Sequence, residues 1–280
     1  MITAKVIADS ISHTGIRLTT LQLCYPRFIH SEFMTHRVFS RNASSSRAIP
    51  VARMISQVWS NPAMPVHWGQ NQPGMQAHQQ LTGWRLTLTK LAWRTAAKAA
   101  ACIAWTMDKA GAHKQVANRI LEPFQWIHVI VTSTEWSNFF SLRYHADADP
   151  TIRQLAIVMK DAMQESSPAK LTRTQWHLPY VTAQEQANNP METLLKASAA
   201  RCARVSYLTH EGKTPSLHQD IKLYARLIDS APMHASPVEH QAKPDTHFTV
   251  DSDPRWSNPS MHGNFNGWIQ HRKIVELASN

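Results

Sequence analysis

Glycine is scarce in this chain, 8 in 280 residues, and it is missing where a nucleotide-binding loop would need it. Neither GxGxxG nor GxxxxGK[ST] occurs, so the tight turns that bring backbone N–H groups against a phosphate chain have no residues to make them. Doubly wound dinucleotide-binding folds and P-loop folds lose their usual support. HExxH and GxSxG are absent too, which leaves common metalloproteases and hydrolases without a motif.

Helix signals dominate instead. The Ala-rich run from Leu81 to Ala110 favours one long helix, with Gly111 as its stop. Asp149 followed by Pro150 starts another, whose stripe of Ile152, Leu155, Ala156, Met159 and Met163 reads as core. Ser216 caps a helix with Leu217, Ile221, Tyr224 and Ile228 on its apolar face. A short helix is predicted over His113–Leu121, ending before Pro123, and a further one over 193–208. Thr132 and Glu135 have capping-box spacing ahead of Trp136, Phe139, Phe140 and Leu142, which predicts a helix carrying Asn138 and Arg143. Residues 14–26 read as a strand stopped by Pro26; Phe28, Ile29 and Phe33 read as one face of a helix ending near His36. The Pro-, Gln- and Asn-rich stretch 60–80 reads as an irregular loop, and beyond Lys243 only IQHRKIVEL reads as helix.

A net charge of +10 points to anionic partners, but no Lys/Arg block of nucleic-acid-tail length is present. Cys24, Cys102 and Cys202 are odd in number and contain no CxxC, so neither a disulfide framework nor a cysteine zinc site is expected, and no metal is assigned. The N-terminus lacks a signal-peptide pattern and no apolar run reaches spanning length, so a cytoplasmic protein without a membrane partner is expected.

Chemistry-bearing residues gather in three places. The stretch THRVFSRNASSSRA (35–48) combines His36, Arg37, Ser40, Asn42, Ser44, Ser45, Ser46 and Arg47: forked guanidiniums with short hydroxyls suit a nucleotide phosphate, and equally an ordinary solvated loop. In MHASPVEH (233–240), Ser236, Pro237 and Glu239 carry N-cap, N1 and N3 logic beside His234, which makes an anion site or only a capped helix. Arg119 and Arg143 sit on helices that are otherwise apolar on one side, so each reaches the surface or meets an anion.

Taken together, these segments resemble the flavin-dependent thymidylate synthases. That family's signature is Arg-His-Arg-x-x-Ser-x-Asn-x-x-Ser-x-Arg, and 35–47 matches it at His36, Arg37, Ser40, Asn42, Ser45 and Arg47. NFFSLR (138–143) resembles the family's helix with an Asn and a pyrimidine-approaching Arg; Arg119 resembles the nucleotide-binding Arg that stands four residues before a Pro. In the family an Ala-Arg-Val-Ser segment and a His-x-Thr-Pro-Phe-Glu-His segment precede the signature, whereas here ARVSY (203–207) and HASPVEH (234–240) follow it. The resemblance therefore implies a circularly permuted chain, which folding physics tolerates when the old termini lie close.

The implied fold is mixed α/β (α+β), a sheet flanked by long helices. The whole chain 1–280 is expected to be one catalytic domain, with signature and nucleotide-binding residues in 1–165, flavin-binding residues in 193–243, and a tail of unassigned role at 244–280. The implied activity is C5 methylation of dUMP to dTMP with FAD as cofactor and NADPH and methylenetetrahydrofolate as co-substrates, in a homotetramer. By resemblance, Ser206, His234, Ser236, Glu239, His36, Arg37, Asn42, Asn138 and Leu142 are flavin contacts. Arg47, Ser45, Ser46, Arg119, Arg143 and Glu32 are nucleotide contacts by the same resemblance. Arg143 is the residue implied to stabilise charge on the ring. Ser45 is a nucleophile on paper, but the sequence fixes no adjacent His or Lys base, which favours a binding role.

Thr35 replaces the signature's first Arg, Ala43 a common Glu, and Glu32 a Gln. Hydroxymethylation of dUMP or methylation of dCMP therefore stays open. So does a non-catalytic nucleic-acid-binding protein that stacks bases on its 10 Trp.

Overall fold

Strand alternation builds a sheet with two unlike faces. The chain, a computed structural model, is described at residues 1–206, 216–250 and 253–278. Strands β1 (Thr3–Ser12), β2 (Arg17–Pro26), β3 (Ser40–Ala43), β4 (Trp126–Ser133) and β5 (Ala169–Leu171) form a five-stranded sheet in the order β3-β4-β2-β1-β5. All neighbours run antiparallel except β1 and β5. Gly15 turns β1 into β2 with φ of 84°, a conformation that costs a residue without Cβ little.

One face is apolar. Leu21, Leu23 and Tyr25 of β2 and Ile127, Val129 and Val131 of β4 are buried against helix Pro150–Glu165. Ile152, Leu155, Ala156 and Met159 from that helix complete the layer with Phe33, Phe39, Trp136 and Phe139. Each such buried side chain contributes about 1.5–3 kcal/mol.

The other face carries hydroxyls. Thr132 stands opposite both Thr20 and Ser40 in register, so the three lie in a row across β3, β4 and β2. Their burial demands partners. Ser40 Oγ accepts from the Gln270 amide at 3.1 Å, and a continuous chain of bonds serves the threonines: Ser10 Oγ to His177 Nδ1 at 2.9 Å, His177 Nε2 to Thr20 Oγ1 at 2.7 Å, Thr20 Oγ1 to Thr132 Oγ1 at 2.7 Å, and Thr132 Oγ1 to His240 Nδ1 at 2.8 Å. Burial holds both imidazoles neutral, pushed down to about 3.

The helices, in chain order, are α1 (His30–Met34), α2 (Val51–Ser60), α3 (Gly83–Lys109), α4 (Lys114–Ala117), α5 (Ser137–Arg143), α6 (Pro150–Glu165), α7 (Ala183–Asn188), α8 (Met191–Ala203), α9 (Leu217–Ile228) and α10 (His271–Ala278). The long α3 packs Ala97, Ala100, Ala101 and Ala104 against Met54 and Val58 of α2 and against Leu121, while Trp84, Leu88, Leu91 and Trp105 stay exposed. Helices α7, α8 and α9 are tied together by Arg201. Its guanidinium meets Asp220 at 2.8 Å and both oxygens of Glu185, the nearer at 2.6 Å. Those bonds hold the Glu185 carboxyl down at about 2.

The helices over 81–110 and 150–165 and the Ser216 cap agree with expectation, the last as a full capping box with Gln219. Other expectations need correction. The strand begins at Arg17, because residues before it form the turn from β1, a strand the sequence reading missed. The segment after it makes a 3-10 turn, Arg27–Ile29, and then only the five residues of α1, ending before His36. Ser40–Ala43 of the signature is an edge strand, not loop. The helix expected over His113–Leu121 is α4 followed by a 3-10 stretch, Asn118–Phe124, that contains Pro123. Thr132 caps nothing, because it lies in β4 and its hydroxyl is used by His240; Glu135 instead accepts from the Ser137 N–H at 2.8 Å. Ser236–Glu239 is a 3-10 turn with no side-chain cap. Residues 166–192, polar and Pro-containing and so expected as a plain connection, hold β5 and α7, the latter started by a Thr182–Glu185 capping box. Beyond Lys243 the chain pairs as well as coils: β6 (Ala242–Pro244) with β9 (Trp268–Gln270), and β7 (His247–Val250) with β8 (Asp253–Trp256).

Candidate functional site

Helix α5 ends on Arg143 and fixes the place of its guanidinium. Phe139 anchors it in the aromatic core, and one turn later Arg143 faces α1 and the segment after it. Its Nε donates to His36 Nε2 at 3.2 Å, Nη1 meets Glu32 Oε2 at 3.2 Å, and Nη2 donates to Thr35 Oγ1 at 3.4 Å. His36 is buried, stacked on Phe39 and met edge-on by Phe139. Because Nε2 accepts, the ring is the neutral Nδ1–H tautomer. Burial first, then the Arg143 and Arg41 charges, lower its pKa. Glu32 is shifted the other way: burial and Asp149 raise its carboxyl, and Arg143 opposes them. Arg143, Glu32 and Leu142 line a cavity of about 930 Å³ together with His67, Gln76 and Asp149. The irregular stretch 60–80 therefore forms part of its wall, which nothing in the local sequence indicated.

A second group forms where the signature's serines meet the 3-10 stretch Asn118–Phe124. The Ser44 N–H donates to the His128 carbonyl at 2.8 Å, and the fully buried Asn118 amide donates to the carbonyls of Ser46 and Ile49 at 2.7 and 2.9 Å. Pinning both sides of this loop brings Arg119, next to Asn118, to Ser46. Ser46 Oγ, Arg119 Nη1 and Arg27 Nη2 all meet one oxygen, Glu122 Oε1, each at 3.1 Å. Ser45 Oγ accepts from the Arg47 N–H at 3.3 Å, and Arg47 itself is exposed. Arg27 and Glu122 escaped the sequence reading. Only their joint approach to Ser46 marks them.

The third group surrounds Asn42 on the hydroxyl face. The Asn42 amide donates to the Cys202 carbonyl at 2.9 Å, and Ser236 Oγ donates to Asn42 Oδ1 at 3.4 Å. Glu239 is ion-paired with Arg272 of α10. The Gln270 amide spans from Ser40 Oγ at 3.1 Å to the Glu239 carbonyl at 3.0 Å. Burial raises the Glu239 carboxyl while Arg272 and Arg41 lower it. The C-terminal segment is thus built into this group, a role the sequence reading left open. Arg41, an unspecified position of the signature, is also structural: it donates to the carbonyls of Met34 and His36 at 2.9 and 3.1 Å.

The predicted residues therefore divide. Glu32, His36 and Arg143 come together, as do Ser46 and Arg119, and as do Asn42, Ser236 and Glu239. Arg37, Asn138, Leu142 and His234 are exposed. Ser206 ends the turn Arg204–Ser206; its side chain, like Tyr207 and Leu208 of the predicted helix, lies outside the described residues. His240 leaves Nε2 without a partner among the described residues. Also among the described residues, no group of three His, Cys, Asp or Glu side chains could hold a metal, and no helix is long and apolar enough to cross a membrane.

Residues 17–169 match the family model of the thymidylate synthase complementing protein, Thy1. No curated protein sequence matches the chain. Among solved structures, the UMP/dUMP methylase PolB from Streptomyces cacaoi, bound with 5-Br dUMP, is similar with a TM-score of 0.50 at 15% identity, over 59% of this chain and 90% of that one. The same methylase bound with 5-Br UMP gives a TM-score of 0.46 at 16% identity, over 59% and 89%. The first likeness is one of fold: a mixed α/β chain of this type.

Proposed function

Because the chain belongs to the Thy1 family of thymidylate synthase complementing proteins, we propose that it is an enzyme that modifies C5 of a pyrimidine deoxynucleotide monophosphate, methylating dUMP to dTMP. The observation that carries this reading is Arg143 held by Glu32, His36 and Thr35 at the wall of a cavity of about 930 Å³. All four residues lie inside the family match.

Carbon 5 of a pyrimidine is a weak nucleophile, so the ring must take on charge before it can accept a one-carbon unit. A fixed guanidinium beside the ring stabilises that charge without having to reorganise. His36 serves Arg143 rather than the substrate, because its neutral Nε2 orients the guanidinium and adds no competing positive charge. Ser45, Ser46, Arg47 and Arg119 hold the phosphate, with Ser45 as a ligand rather than a nucleophile.

FAD is proposed as cofactor, with NADPH and methylenetetrahydrofolate as co-substrates. Next to the turn carrying Ser236 and Glu239, whose Ser236 hydroxyl bonds the Asn42 amide, the buried Nε2 of His240 has no partner among the described residues, an orphaned polar atom that supports a polar cofactor at this group. Those residues, with His36, Asn138 and Leu142, would hold the flavin, which supplies hydride when bound. The order of the segments supports a circularly permuted single catalytic domain. The exposed Trp84, Leu88 and Leu91 on α3 support a homo-oligomer, in keeping with the family's tetramers. A cytoplasmic location is part of the same reading.

A second reading rests on Glu32. A carboxylate accepts hydrogen bonds and donates none when ionised, so it suits the exocyclic amine of dCMP better than the carbonyl of dUMP. Hydroxymethylation of dUMP differs from methylation only in its final reduction. Mass analysis of nucleotides after incubation with FAD, NADPH, methylenetetrahydrofolate and equimolar dUMP and dCMP decides between them. A methyl gain on dUMP is expected. A hydroxymethyl or dCMP product would redirect the reading, and no product with no flavin retained would end it.

A further inference from the structure

Within the serine–arginine group, Glu122 occupies a place that its neighbours' chemistry reserves for a different anion. Ser46 Oγ, Arg27 Nη2 and Arg119 Nη1 converge at 3.1 Å each on the single oxygen Oε1. A hydroxyl and two guanidiniums focused on one oxygen is the donor set of a phosphoryl group. The hydroxyl is preset, because Ser46 is buried and its loop is pinned by Asn118. The anion side is loose by contrast: the Arg119 side chain is 58% exposed and Glu122 25%. A surface cavity of about 370 Å³, lined by Arg27 and Glu122, opens beside the group, so an anion arriving from solvent meets Arg27 and the Glu122 carboxylate there, with Arg119 exposed next to them; Ser46 lies behind the carboxylate. Two guanidiniums and one carboxylate leave a single net positive charge. A phosphate dianion added beside Glu122 would reverse that sign and set two anions against each other, whereas exchange for Glu122 leaves the dianion fully paired.

We infer that Ser46, Arg119 and Arg27 form a phosphate seat in which Glu122 is an internal anion, and that the nucleotide's phosphate enters by displacing that carboxylate. The inference rests on the proposed nucleotide function for Ser46 and Arg119. What it adds is Arg27 as a third phosphate ligand and Glu122 as a competitor that sets affinity. Binding becomes an anion exchange, and the protein discriminates against weakly charged anions that cannot displace the carboxylate.

Titration calorimetry of wild type, Glu122→Gln and Arg27→Gln with dUMP, dCMP, deoxyuridine and inorganic phosphate tests this, with thermal melts to confirm folding. Glu122→Gln should bind dUMP and inorganic phosphate about tenfold tighter, since removing a carboxylate in contact with both guanidiniums is worth roughly 1.4 kcal/mol per tenfold. Arg27→Gln should bind dUMP about tenfold more weakly. Deoxyuridine should bind both variants as it binds wild type. Equal or weaker binding of dUMP to Glu122→Gln would overturn the exchange and leave Glu122 a purely structural ion-pair partner. If wild type binds neither dUMP nor dCMP, the nucleotide reading fails separately; inorganic phosphate then decides the seat alone, and no gain for Glu122→Gln overturns it.

Discussion

Acid should unfold this protein through its buried imidazoles, and the size of the effect follows from their burial. His177 and His240 are fully buried and hydrogen-bonded as neutral rings, with folded-state values pushed down to about 3 from an ordinary 6.5. Between those limits the unfolded chain binds protons that the folded chain refuses. Their stabilising contribution is therefore complete above about pH 6.5, falls as the pH drops below it, and stops falling near 3. At pH 5.0 an exposed imidazole is protonated about thirty to one, which stabilises the unfolded state by about 2 kcal/mol for each ring. The two rings together remove about 4 kcal/mol between pH 7.5 and 5.0. That figure hardly depends on how far below 5 the folded values lie, and it is large beside a typical total of about 5–15 kcal/mol. Urea unfolding at the two pH values, followed by tryptophan fluorescence, measures it. The rings of His30 and His271, both pushed down by burial to about 4, steepen the wild-type loss further, so His177 needs its own variant. His177→Gln should be less stable at pH 7.5 yet lose about 2 kcal/mol less on acidification. An unchanged pH dependence in that variant, or a wild-type loss under about 1 kcal/mol, would refute the reasoning.

Two further substitutions probe the site and the scaffold. Arg143→Lys keeps the charge but loses the fork that reaches Glu32, His36 and Thr35 together; turnover of the preferred nucleotide should fall by about 10²–10³ with the melting midpoint nearly unchanged, and undiminished turnover would show the fork to be idle. Arg201→Ala removes the guanidinium that bridges Glu185 and the fully buried Asp220, leaving Asp220 only its ion pair with Arg204, and should cost about 3 kcal/mol in urea unfolding; a loss under about 1 kcal/mol would mean that Arg204 alone satisfies Asp220.

What could be read from the sequence was whatever local physics determines. The Asp149–Pro150 start, the Ser216 cap and the Ala-rich run encode their helices within a few residues. Two capping-box readings failed for opposite reasons. Thr132 has the spacing, but strand pairing with Thr20 claims its backbone; Ser236 has it too, but only a 3-10 turn forms and its hydroxyl turns to Asn42. Of the site, the signature's residue types were visible, while their partners were not. Glu122 reaches Ser46 across 76 residues, Arg27 reaches Glu122 across 95 (122 minus 27), and Gln270 reaches Ser40 across 230. No periodicity reports such distances, since only sheet order and loop pinning create them.

The hydroxyl row beneath the C-terminal half has a directional property. Each threonine hydroxyl and each neutral imidazole owns one proton, so the four bonds from Ser10 to His240 run without stranding a threonine proton in only two senses. In one, every proton points toward His240, whose Nε2 then carries hydrogen. In the other all point toward Ser10, and Nε2 offers a lone pair. Changing what His240 presents beside Glu239 means reversing four bonds in concert across three strands. The polarity of that one ring nitrogen is therefore a collective property of the sheet, decided as far away as β1.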